Sequence, residues 1–236
     1  MTLKFRTELD VTKKINSIEI FKSILHFYTY DINKDATILV AGAGNGLEAV
    51  FIKQIFSCNV TAVDLNLSHS IIEANTDIIF STQDLMELNY PSHSFSLIFC
   101  NHVLEHVPDH YKVLSELYRV MDNNGILLIG FPNKNRLFGY INATQKVGLL
   151  RFIRWNLHDF GQRLKGKFEN SHGAHAGFTQ KEFRRDAHKL FNSVIPIRNE
   201  YISLKYHNYK SLIKLITYLK LGEFLFPSNY FICIKD

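Results

Sequence analysis

Cysteine is scarce in this chain, and the three that occur, Cys58, Cys100 and Cys233, are far apart and odd in number. That spacing supports neither a disulfide framework nor a cysteine metal knuckle, and it fits a reducing compartment in which the thiols serve as small buried hydrophobes. Long apolar runs are also missing. The opening stretch Met1 to Asp10 has no apolar core of a signal peptide, and no later run approaches the length needed to span a bilayer, so a cytoplasmic location is expected. There is no repeat and no low-complexity segment. What is present in quantity is hydrophobic sequence: 46% of 236 residues, enough to bury the core of one domain over 1–236.

Acidic residues are sparse in one long segment. Residues 133–178 hold eight Lys/Arg against Asp159 and Glu169, a surplus of six, which leaves the rest of the chain close to neutral at a formal +5 overall. This segment also carries Phe138, Tyr140, Phe152, Trp155, Phe160 and Phe168. It is too long for a plain connection and is expected to form a lid or insertion, with glycines at 139, 148, 161 and 166 that permit movement. A localised basic surface favours an acidic partner or substrate.

The chain is organised around Thr37-Ile-Leu-Val-Ala-Gly-Ala-Gly-Asn-Gly-Leu-Glu48, an apolar run that breaks into glycines at 42, 44 and 46 and continues in helix-forming residues. Strand, tight loop and helix are the expectation, with the loop's N–H groups free to approach a ligand that any Cβ would hold off. Asp64 closes the next strand, where a carboxylate can accept both hydroxyls of a ribose. The glycines alone fit two patterns. Gly44-Asn-Gly46-Leu-Glu-Ala49 matches the dinucleotide fingerprint, and Gly42-x-Gly44-x-Gly46 matches the loop of S-adenosylmethionine (SAM) enzymes.

Val11, Ile15, Ile18, Phe21, Leu25 and Tyr28 recur at helical spacing, predicting an amphipathic helix over 10–29 ahead of the first strand. Helices are expected over 47–56 and 68–74, and a third strand at 77–80. A fully apolar strand ends at Asn101. Pro108 is expected to open a helix that Gly125 stops with a left-handed cap, and a fifth strand follows over 126–131. Thr179 with Glu182 signals a capped helix through Leu190. Val194–Leu204 reads as strand and 229–234 as the last strand. The lysine-bearing helix at 207–221 reads as a cover for the core, with a lipid-like acceptor or a bilayer surface as the alternative. Strands alternating with helices imply a doubly wound, Rossmann-like α/β sheet with its ligand at the carboxyl ends of the strands.

Taken together, these residues resemble the class I SAM-dependent methyltransferases over about 35–235, in the branch acting on small molecules and similar to the ubiquinone-pathway enzymes. Gly42-Ala-Gly-Asn-Gly46 looks like the cofactor loop, Asp64 with Leu65 like the ribose-binding turn, and Asp84 with Leu85 like the adenine-binding D-x-x-D/E-L-P-F stretch. Phe95-Ser-Leu-Ile-Phe-Cys-Asn-His-Val-Leu-Glu-His106 resembles the fourth strand and its L-E-H ending. Leu117-Tyr-Arg-Val-Met-Asp-Asn-Asn-Gly-Ile-Leu-Leu-Ile129 resembles the family's L.RVLKPGG.LLI. The chain departs from the pattern at Val40, where an acid is usual, and at Ser96, where Phe-Asp is usual. The resemblance implies a seven-stranded sheet with the last strand antiparallel, SAM as cofactor held by Gly42, Gly44, Gly46, Asp64, Leu65, Asp84, Leu85 and Asn101, and methylation of an oxygen or nitrogen on a small or medium-sized acceptor, which the basic segment and the 207–221 helix leave open as acidic or lipid-like.

Methyl transfer is an in-line displacement in which the protein supplies alignment and a dry site. A base within reach of an acceptor proton adds rate, and His102, His106 and His175 are the expected candidates, with Glu105, Asn133 and His172 nearby in function. His102-Val-Leu-Glu-His106 also matches a zinc-peptidase signature, but Pro108 leaves no long helix to present it. No metal is expected. The alternative is a metal set of His102, Glu105, His106 and His175, resembling ubiquinone-pathway and small-RNA 2′-O-methyltransferases, and with the basic insertion it leaves RNA-end methylation open as a rival. A non-catalytic SAM- or NAD-binding module is the remaining one.

Overall fold

The computed structural model describes residues 16–67, 75–137, 149–164 and 177–235. The expected helix at 68–74, the first part of the helix at 10–29 and half of the expected lid lie outside them.

Helix α1 (16–27) leads into β1 (Thr37–Ala41), and the glycine loop connects β1 to α2 (Leu47–Phe56). Then follow β2 (Asn59–Asp64), β3 (Ile79–Thr82) and β4 (Phe95–Asn101). A single 3-10 turn (Leu104–His106) precedes α3 (His110–Val120), β5 (Met121–Pro132) and α4 (Leu149–Leu164). The chain closes through α5 (Gln180–Ala187), β6 (Ser193–Pro196), α6 (Arg198–Lys205), α7 (Lys210–Tyr218), α8 (Gly222–Leu225) and β7 (Ser228–Ile234).

The seven strands form one sheet in the order β3-β2-β1-β4-β5-β7-β6. The first five pair in parallel, and β7 runs antiparallel between β5 and β6. Period-2 alternation sorts the side chains. Ile38 and Val40 enter the core beneath α1, α2 and α6, whereas Leu39 and Ala41 enter the one beneath α3 and α5. Because both faces are covered, the central strands read as continuous apolar runs. Each fully buried Leu or Ile there contributes roughly 1.5–3 kcal/mol.

Strand order reverses beside β1, with β2 on one side and β4 on the other, so the loops after β1 and β4 diverge and leave a crevice at the carboxyl edge. The two departures from the family pattern have local explanations. Val40 is 1% exposed and faces the core. The Ser96 hydroxyl donates to Thr37 O at 3.2 Å and accepts from its amide at 3.2 Å, tying β4 to β1.

Several local expectations are corrected. The third strand lies two residues later than 77–80. Asp109, not Pro108, caps α3, its side chain accepting from the Lys112 amide at 2.9 Å. The left-handed residue in the following turn is Asn124, with φ 59°, and Gly125 is needed because a Cβ there would collide with Met121 and the Asp122 carbonyl. Val194–Leu204 is a short strand followed by α6, because Ile197, Tyr201 and Ile202 are buried at helical rather than alternating spacing. In α7, read as a core cover, Ile213 alone is buried. The capping box at Thr179 and Glu182 is formed in full.

Candidate active site

The glycine loop is folded back over β2 by two hydrogen bonds to one carbonyl, from the Gly42 and Ala43 amides to Val63 O at 2.8 and 2.9 Å. Gly42 has φ 77°, and any Cβ on it would strike the Val103 side chain, so this glycine seats the loop on the segment after β4. Gly44, at φ 55°, has nothing within 4 Å of where a Cβ would stand. Its open side faces the crevice. Gly46 serves the helix instead, as the left-handed N-cap of α2.

Asp64 ends β2 with both carboxylate oxygens engaged, Oδ2 accepting from the Gly44 amide at 2.7 Å and Oδ1 from the Asn66 amide at 2.9 Å. Each oxygen keeps a second lone pair, so two ligand hydroxyls can still be accepted. Asp84 shapes the next loop in the same way, its Oδ1 accepting from the Met86 amide at 2.8 Å. That loop is stapled to α3. Glu116 accepts from the Leu88 amide at 3.0 Å, and Arg119 donates to the carbonyls of Tyr90 and Leu88 at 2.7 and 2.8 Å while pairing with Glu116 at 2.8 Å. The Arg119 hydrogen bond holds the Glu116 carboxyl below the usual carboxylate range.

These elements enclose a cavity of about 350 Å³. Of the expected residues, Gly42, Gly44, Asp64, Leu65, Asp84, Leu85, His102 and His106 line it, and Gly46 and Asn101 do not. Asn66, Gln83, Val103 and Val107 join the lining without having been anticipated. Asn66 and Gln83 flank the two acids in sequence, which was the available signal. His172 and His175 lie outside the described residues.

At the end of β4, His102 adopts φ 58°, a left-handed backbone fixed by the hydrogen bond its amide donates to Gly130 O at 2.7 Å. Its Nδ1 stands 3.3 Å from Glu105 Oε1. The Glu105 side chain is only 1% exposed, against 41% for His102, and among the described residues neither of its oxygens has a hydrogen-bond donor in good alignment. Asn101 Oδ1 is likewise buried and unpartnered there. Cys100 is no nucleophile, since burial, with Glu105 and Glu48 adding to it, pushes its thiol far up. Asn133 is spent on structure: fully buried, it donates to the carbonyls of Glu223 and Phe226 at 2.7 and 2.9 Å. Among the described residues no three His, Cys, Asp or Glu side chains are grouped to hold a metal ion.

Residues 39–129, from β1 to β5, match the model of a methyltransferase domain family. The ubiquinone biosynthesis O-methyltransferase of Rickettsia typhi is 30% identical over 173 residues, which span 67% of this chain and 66% of that protein. The chain belongs to the class I SAM-dependent methyltransferases. A phosphoethanolamine N-methyltransferase of Plasmodium falciparum is 23% identical over 51% of this chain and 44% of its own length, so this methyltransferase spans about two thirds or less of the curated relatives it matches. The same fold occurs in phosphoethanolamine N-methyltransferase 2 of Haemonchus contortus, solved with SAM (TM-score 0.59, 16% identity, 93% of this chain and 52% of that one). It occurs also in a SAM-dependent methyltransferase of Archaeoglobus fulgidus (TM-score 0.55, 18% identity, 92% and 94%). The crevice fits the family's cofactor: an open glycine face at Gly44 and two carboxylates with lone pairs to spare lie along one cavity.

Proposed function

We propose that the protein transfers a methyl group from SAM to an oxygen or nitrogen of a small or medium-sized acceptor. The observation that carries this reading is the placement of Gly44, Asp64 and Asp84 along one cavity that ends at His102 and His106. Asp64 would hold the ribose hydroxyls and Asp84 the adenine amino group, and the open face at Gly44 would let the amino-acid end approach the backbone. SAM supplies an activated methyl carbon. The chain aligns the acceptor with it and excludes water.

His102 is the group that takes up the acceptor's proton. With Nδ1 toward Glu105, Nε2 is left for the acceptor, and the buried carboxylate stabilises the imidazolium that forms. The segment 133–178 is assigned to the acceptor, and its start is held by Asn133 and by the 2.6 Å Lys134–Glu182 ion pair. The curated relatives act, by their names, on oxygen in one case and nitrogen in the other, which supports a small acceptor of either kind.

Calorimetry with S-adenosylhomocysteine (SAH) tests the cofactor reading, with micromolar binding expected and no binding refuting it. A screen of phenolic and amine acceptors then follows SAH release. His102→Ala should lower turnover at least about a hundredfold with SAH affinity unchanged. Equal turnover would remove His102 from its role.

A further inference from the structure

Residues 201–222 contain four lysines, His207 and no acid. In that stretch α7 sets Ile213 and Ile216 against the core and leaves a second apolar stripe outside: Leu212 and Leu215, with Leu219 just past the helix, at i, i+3 and i+7, are 54%, 53% and 51% exposed, and Tyr218 is 84% exposed. The outward face of a soluble helix is ordinarily polar. Lys210, Lys214 and Lys220 are exposed and make no ion pair among the described residues. The apolar surface continues past the helix, since Tyr218 and Lys214 share the wall of a cavity of about 660 Å³ with Ile24, Leu204 and Phe27, the last 73% exposed. None of these residues lines the crevice at the glycine loop.

We infer that this face docks on a membrane surface rich in anionic lipid, with the leucine stripe entering the acyl boundary and the lysines meeting the headgroups. Charge decides among occupants. A second copy would set one lysine-bearing helix against another, with Glu200 on the cavity wall as the one acid beside them, and the surplus of like charge would oppose pairing, whereas an anionic bilayer satisfies the lysines and the stripe together. No described helix is long and apolar enough to cross a membrane, so the contact is peripheral. The inference stands apart from the cofactor site.

The test is flotation of the full chain with vesicles of phosphatidylcholine and phosphatidylglycerol at roughly two to one, beside phosphatidylcholine alone. The protein should float with the anionic vesicles only, and less as salt rises. Leu212→Asn/Leu215→Asn leaves every charge in place and should weaken flotation at least about tenfold with SAH binding and thermal melting unchanged. Failure of the wild type to float would overturn the inference. Flotation of the double variant equal to the wild type would do so too, showing attraction by the basic chain at large. A wild-type dimer in light scattering that this variant converts to monomer would assign the stripe to self-association instead.

Discussion

The Asp64 carboxylate and the Gly44 amide are joined by a 2.7 Å hydrogen bond across twenty positions of sequence, so the side chain assigned to the ribose also holds the shape of the glycine loop. Removing it should act twice. Asp64→Ala is expected to lower SAH affinity on the order of a hundredfold, about 3 kcal/mol, through lost charge-assisted hydrogen bonds and a loosened loop. Calorimetry reads the change, and an unaltered Kd would refute the ribose assignment.

Gly42 and Gly44 should respond differently to the same substitution. Both have positive φ, but a Cβ at 42 meets Val103 and one at 44 meets nothing. Gly42→Ala is expected to cost stability by more than about 2 kcal/mol, partly recovered in Gly42→Ala/Val103→Ala. Gly44→Ala should cost about 1 kcal/mol of stability yet weaken SAH, because its Cβ enters the ligand's space. Urea unfolding with calorimetry separates the two.

Arg119 reaches the cofactor loop only through backbone carbonyls. Arg119→Ala leaves Glu116 without its cation and frees Leu88 O and Tyr90 O, a loss of roughly 1–3 kcal/mol. Faster amide exchange over 84–90 and a several-fold weaker SAH complex are expected. Unchanged exchange there would show that Asp84 is positioned by its own turn.

Acid should destabilise the fold through Asp186 and Glu116. The hydrogen bond from Arg185, then those from Lys189 and His110 against the opposing effect of burial, hold Asp186 well below the usual carboxylate range. Glu116 is lowered chiefly by Arg119. A carboxylate depressed in the folded state contributes stability that is present above its unfolded value, about pH 4, and is lost as pH falls through the lower folded value. The Tm should therefore be nearly flat above about pH 5 and drop below about pH 4, less steeply in Asp186→Asn. A parallel drop in that variant would remove Asp186 from the explanation.

Much of the fold was legible in the sequence where local and tertiary demands agree. Apolar runs bounded by glycine or by Asp and Asn gave β1, β2 and β4, and the Thr179–Glu182 spacing gave a capping box, because each is set by neighbours within a few residues. The site was legible for the same reason: Gly42, Gly44, Asp64 and Asp84 lie at strand ends that the topology gathers at one edge. Val194–Leu204 failed as a strand because its apolar residues suit either period, and packing of Tyr201 on Phe21 and Tyr230 decided for the helix.

The sequence by itself determined a doubly wound sheet and a nucleoside-sized crevice, since strand periodicity, glycine conformation and the place of acids at strand ends are properties of short segments. Only the tertiary structure decided which way α7 faces and what Glu105 meets. Burial of a side chain depends on elements remote in the chain: α7 rests on its neighbours through Ile213, which turns the leucines outward, and the left-handed turn after β4 carries Glu105 inward beneath His102.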